Sequence, residues 1–158
     1  MSFRYDDKKI NKIFSAQPVK PEVKYIHYQN NQIRFLQLIS NPDHPYVVFV
    51  HGALGSSADY HNYFKDEKLF SKVNIISVDR LGYGYSEYGS HETSLKRQAQ
   101  AIQAVIDTEC KNNDIFIVDH SYGGPIVLQM AIDNANSYKG ILLLAPAIDP
   151  KNEKEVKI

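Results

Sequence analysis

The chain has 158 residues, enough for one domain with a real hydrophobic core and too few for two ordinary ones. Eighteen basic and eighteen acidic side chains cancel and no lysine/arginine block stands out, which excludes an electrostatic footprint for nucleic acid or an anionic membrane and leaves small molecules as partners. The single Cys110 cannot form an internal disulfide and no run approaches the ~20 apolar residues of a membrane span, so the expected setting is the cytoplasm.

Met1 to Lys12 is polar and charged, without the apolar segment of a secretory signal. Asp6 to Phe14 reads as a short amphipathic helix, with Asp6 or Asp7 as cap and Ile10, Ile13 and Phe14 on one face; Pro18 and Pro21 end it. Residues 1–22 are therefore expected as an N-terminal arm or short helix, and 23–158 as the core. Lys24–Tyr28 and Ile33–Ile39 read as two strands joined by a hairpin turn at Asn30-Asn31. After the turn cluster Asn41 to Pro45, the unbroken apolar run Tyr46–Val50 suits a strand buried on both faces. Ser57–Lys72 is expected to hold a helix, and Val73–Val78 a fourth strand. Thr93 or Ser94 caps a helix in which Leu95, Ala99, Ile102 and Ile106 recur at helical spacing. Ile115–Val118 is a fifth strand, Ile126, Val127, Met130 and Ala131 face a helix inward, and Gly140–Ala145 is a sixth strand.

Between the fifth strand and the next helix stands Asp119-His120-Ser121-Tyr122-Gly123-Gly124, with Pro125 where a first helical turn tolerates it. A serine on so tight a turn is lifted out of the sheet with its hydroxyl exposed, which is a nucleophile's posture. The stretch resembles the nucleophile elbow of the α/β-hydrolase family, Gly-x-Ser-x-Gly, with Asp119 in place of the first glycine. Two more loops resemble that family: His51-Gly52-Ala53-Leu54-Gly55-Ser56 after the third strand, and Asp79-Arg80-Leu81-Gly82-Tyr83-Gly84-Tyr85-Ser86 after the fourth. The resemblance covers roughly residues 24–150 and implies an α/β fold, a mostly parallel sheet with helices on both faces, truncated after about six of the usual eight strands.

It also implies a serine hydrolase that cleaves esters, thioesters or amides through an acyl-serine. Ser121 would be the nucleophile, and the backbone N–H groups of Tyr122 and Ala53 would form the oxyanion hole. His51 would organise its loop, and Asp79, Arg80 and Ser86 would tie theirs by hydrogen bonds and charge. The family places its acid and then its histidine after the nucleophile. No histidine follows Ser121 here; the six are His27, His44, His51, His61, His91 and His120. Asp149 is the one acid on a suitable loop, and it also reads as a solvated turn residue. Neither the histidines nor the cysteine show metal-ligand spacing, and no cofactor motif is present.

Asp119 is expected to strain the turn and to repel a forming oxyanion. The chain is thus expected to turn over weakly or not at all. The alternatives are a non-catalytic ligand-binding or interaction protein on a hydrolase scaffold, and one half of a split enzyme. The apolar sixth strand, Ile141-Leu142-Leu143-Leu144, is expected as an exposed edge that self-associates or takes a partner chain.

Overall fold

The computed structural model describes residues 4–90, 92–149 and 151; His91, Pro150 and the stretch from Asn152 lie outside it. Six strands form one sheet: β1 (Glu22–Tyr28), β2 (Asn31–Leu38), β3 (Tyr46–Val50), β4 (Asn74–Val78), β5 (Ile115–His120) and β6 (Gly140–Leu144). Their spatial order is β1-β2-β4-β3-β5-β6. The β1-β2 and β2-β4 pairs are antiparallel, and β3-β4, β3-β5 and β5-β6 are parallel. The hairpin turn falls at Gln29-Asn30, one residue before the expected pair, and Gln29 takes the positive φ of 54° that the tight connection requires.

The two-residue alternation of each strand sorts the apolar side chains onto two faces. One face carries Ile33, Phe35, Val48, Val50, Ile76, Val78 and Ile117 against α3 (Leu95–Glu109) and α4 (Gly123–Asp133). The other carries Leu36, Leu38, Phe49 and Ile75 against Ile10 and Phe14 of the N-terminal segment and against Tyr60, Phe64 and Phe70. Full burial of one such side chain is worth about 1.5–3 kcal/mol, so both layers are needed to hold the sheet.

The helix α1 (Asp7–Ile13) forms as its sequence predicts, its Lys9 N–H donating to the Asp6 side chain. Ser94 caps α3 in the same way by accepting from Arg97 N–H. The single helix expected over 57–72 is instead three pieces: 3-10 turns at Ser57–Tyr60 and Tyr63–Lys65, then α2 (Glu67–Phe70). The Ser56–Asp59 capping box opens the first, and the Asp66 side chain accepts from Lys68 N–H to open the last, so local caps restart the chain where one helix would have run through. β6 pairs with β5 alone among the described residues, leaving Ile141 37% and Leu142 54% exposed.

Candidate functional site

The carboxyl ends of β3, β4 and β5 bring three loops together, as open α/β sheets do where they hold ligands. Ser121 sits directly after β5 with φ 54°, a left-handed conformation that costs a non-glycine residue roughly 1–2 kcal/mol. Backbone hydrogen bonds hold it there. Ser121 N–H donates to Leu144 O at 3.1 Å, and Ser121 O accepts from Gly124 N–H at 3.0 Å and from Ala147 N–H at 2.9 Å. The elbow is thus fixed from α4 on one side and from the end of β6 on the other. Leu54 (φ 61°) and Ala145 (φ 46°), in the loops after β3 and β6, share the left-handed conformation, so strain gathers at this end of the sheet.

Gly52 is the point of closest approach between the loops. A Cβ added to it would stand 3.0 Å from Ser121 Cβ and 3.1 Å from His120 O, so any side chain here would press the β3 loop and the serine turn apart by a few tenths of an ångström. Ala53 follows, exposed, while Ser121 and Tyr122 are half-buried. Neither Ala53 N–H nor Tyr122 N–H donates a hydrogen bond among the described residues, and neither does Ser121 Oγ.

The β3 loop is pinned at one carbonyl. Gly52 O accepts from His51 Nδ1 at 2.7 Å, from Arg80 Nη2 at 2.9 Å and from Gly55 N–H at 3.3 Å. His51 Nε2 accepts Arg80 N–H at 3.1 Å, so the imidazole proton sits on Nδ1 and the ring is neutral. Burial, then the charge of Arg80, pushes its pKa down to about 3. A ring so placed holds the loop, with both nitrogens occupied.

The β4 loop is organised by Asp79, which is fully buried. Its carboxylate accepts from Ser57 N–H at 2.6 Å, Tyr85 N–H at 2.9 Å and Arg34 Nη1 at 3.0 Å. Arg34 also reaches Asp7 of α1, and its backbone N–H donates to Ser86 Oγ at 2.8 Å. The expected roles of Asp79 and Ser86 in tying this loop match these contacts. Arg34 is the partner that sequence reasoning missed; its one signal is a lone arginine in the apolar stretch Ile33-Arg34-Phe35.

Asp119 points to the α3/α4 face and is fully buried beneath Gly123 and Gly124. Neither carboxylate oxygen makes a hydrogen bond among the described residues. Burial raises its pKa from 3.8 to about 6, and the Leu144 backbone, the charge of His120 and the Asp119 backbone offset this only in part. His120 takes the opposite face, exposed, its Nδ1 3.3 Å from where a Gly52 Cβ would stand. Asp149 is exposed, and its Oδ1 accepts Lys151 N–H at 3.0 Å. No group of three or more His, Cys, Asp or Glu side chains is arranged for a metal among the described residues. No helix among them is long and apolar enough to cross a membrane.

This combination of sheet order, strained serine turn and converging loops defines a class. Residues 45–156, well over half of the chain, match the family described as alpha/beta hydrolase fold, and the chain belongs to it. It is 33% identical over 109 residues to the Arabidopsis thaliana protein named "Probable lysophospholipase BODYGUARD 2", a match covering 63% of this chain and 22% of that one. It is also 26% identical over 102 residues to a haloalkane dehalogenase of Agrobacterium fabrum, covering 65% of this chain and 33% of that protein. The chain thus spans a third or less of the length of these relatives. Among solved structures, the carboxylesterase CesB from Bacillus subtilis superimposes with a TM-score of 0.68 at 17% identity, over 87% of this chain and 47% of that one. The thioesterase domain from the curacin biosynthetic pathway gives 0.68 at 22% identity, over 80% and 46%. These two likenesses are of fold.

Proposed function

We propose that this end of the sheet is an acyl-transfer site in which Ser121 is the nucleophile and the N–H groups of Ala53 and Tyr122 receive the oxyanion. The observation that carries the reading is Ser121 itself. A non-glycine residue held at positive φ, with an unengaged hydroxyl and two unengaged N–H groups in the adjoining loops, is costly to build without a use. Ser121 Oγ attacks a carbonyl carbon, the C=O bond becomes a C–O⁻ facing the two N–H groups, and collapse expels an alcohol, thiol or amine. Water then releases the acid from the acyl-serine. Each oxyanion donor of this kind is worth about 2.7–4 kcal/mol. The substrates are acyl esters, thioesters or amides; the plant relatives' lysophospholipase name supports an ester.

Ser121 Oγ has no hydrogen bond to a histidine among the described residues, so its proton passes to solvent and turnover by this chain is slow. Asp149, engaged with its own turn, is the acid we assign to the site with least support. Purified protein incubated with a fluorophosphonate probe should be labelled at Ser121, with hydrolysis of a short-chain p-nitrophenyl ester close to the Ser121→Ala background. Labelling elsewhere, or none, overturns the nucleophile. Saturable ligand binding without labelling would carry the other reading, a binding protein on a hydrolase scaffold, and ester turnover well above the Ser121→Ala variant overturns the slow-turnover proposal.

A further inference from the structure

Arg80 is, beside Asp119, a buried charged side chain near the candidate site whose environment the fold alone does not explain. It is 1% exposed, yet it forms no ion pair among the described residues. Of its guanidinium nitrogens, Nη2 donates to Gly52 O, while Nε and Nη1 have no acceptor. The remaining surroundings are aromatic: Cζ lies 4.2 Å from the Tyr83 ring centroid and 5.3 Å from that of Tyr122. The other buried arginine shows what a structural role looks like here. Arg34 is equally buried and is matched by Asp79 and Asp7. Burying a cation without a carboxylate is expensive, and cation–π contacts return only part of that cost.

The position of that uncompensated charge is specific. Gly52 touches Arg80 through its carbonyl and packs against Ser121 through its Cα, so one residue separates the guanidinium from the serine. Tyr122, whose ring flanks Arg80 on the other side, is the residue whose N–H is proposed to receive the oxyanion. We infer that Arg80 is a positioning residue for the acyl-transfer site: it holds Gly52 so that the Ala53 N–H faces Ser121, and it supplies a fixed positive charge that is first matched when the oxyanion forms. A preorganised charge in a dry site costs nothing to reorient during reaction, which is why it favours the charged transition state over the neutral ground state.

This inference rests on the acyl-transfer reading, and its test separates the two. Arg80→Met and Arg80→Lys are compared with the parent by fluorophosphonate labelling rate at Ser121, by thermal midpoint and by NMR titration of His51. Labelling should slow by about tenfold or more in Arg80→Met and recover in part in Arg80→Lys, which restores charge without the planar fork. Removing the charge should also raise the His51 pKa in Arg80→Met and leave it low in Arg80→Lys, because Arg80 is one of the causes that hold it down. A purely structural arginine would lower the midpoint and slow labelling equally in both variants; that result, or an unmoved His51 titration, overturns the inference. Absence of labelling in the parent, with His51 shifting as stated, overturns the serine reading, and the reactive role of Arg80 falls with it.

Discussion

At Asp119 the chain departs from a small residue at the tightest point of the elbow, and the consequence is electrostatic as well as steric. The carboxyl is fully buried and unpaired, and its pKa rises to about 6 from 3.8. The folded protein therefore holds this proton more tightly than the unfolded chain does. Stability contributed by the protonated form is present below about pH 4 and is lost as pH climbs to about 6 and beyond. Asp119→Asn and Asp119→Gly should both stabilise the fold at pH 7.5, on the order of 1 to 3 kcal/mol, seen as a higher melting midpoint, and the gain of Asp119→Asn should vanish near pH 3.5. Melts of the three proteins at both pH values decide it; equal midpoints at pH 7.5 would mean that the carboxylate is accommodated.

At the scale of elements, α4 is brought down onto the sheet by glycine. A Cβ at Gly123 would stand 2.5 Å from Val50 O and 3.2 Å from Asp119 Cβ, so β3, β5 and α4 meet there with no room for a methyl group. Gly123→Ala should displace the helix start and destabilise the fold by about 1–3 kcal/mol, with Ser121 labelling reduced because Gly124 N–H is one of the groups fixing the elbow. Chemical denaturation together with the labelling rate measures both effects, and an unchanged pair would refute the close-packing argument. The elbow was readable in the sequence because it is local: strand run, serine, two glycines and a proline lie within eleven residues, Ile115 to Pro125. The stretch after β3 was not, since Tyr60, Phe64 and Phe70 are buried in either arrangement while the caps at Ser56 and Asp66 decide where each helical piece begins. Arg34 was out of reach for a different reason: its partners Asp79 and Asp7 lie on elements distant along the chain. Arg80 was legible as a residue of its loop, but residue type alone does not tell a paired buried arginine from an unpaired one.

At the scale of the whole molecule, the two edges that the sheet has among the described residues are unlike. β1 carries Glu22, Lys24 and His27, charged or polar groups that discourage pairing with another chain. β6 reads Gly-Ile-Leu-Leu-Leu with no charge and no proline, and Ile141, Leu142 and the nearby Ile148 are exposed at 37%, 54% and 46%. This edge should pair with β6 of a second copy. Light scattering at low micromolar concentration is expected to give a mass above that of the 18.0 kDa monomer, and Leu142→Lys to bring it down. A monodisperse monomer for the parent chain would defeat the idea.

The hydrogen bonds that join Ser121 to Leu144 and Ala147 also place the turn of the proposed nucleophile within one cooperative unit with β6, the outermost strand among the described residues. Edge strands open at a small fraction of the free energy needed for global unfolding. Each transient opening of β6 removes two of the three backbone bonds that hold Ser121 in its strained conformation, and the turn can then relax. For the proposed nucleophile, the lifetime of this posture is expected to follow local breathing of β6 rather than the stability of the core, and a second copy or partner closing over that strand would act on the serine at a distance.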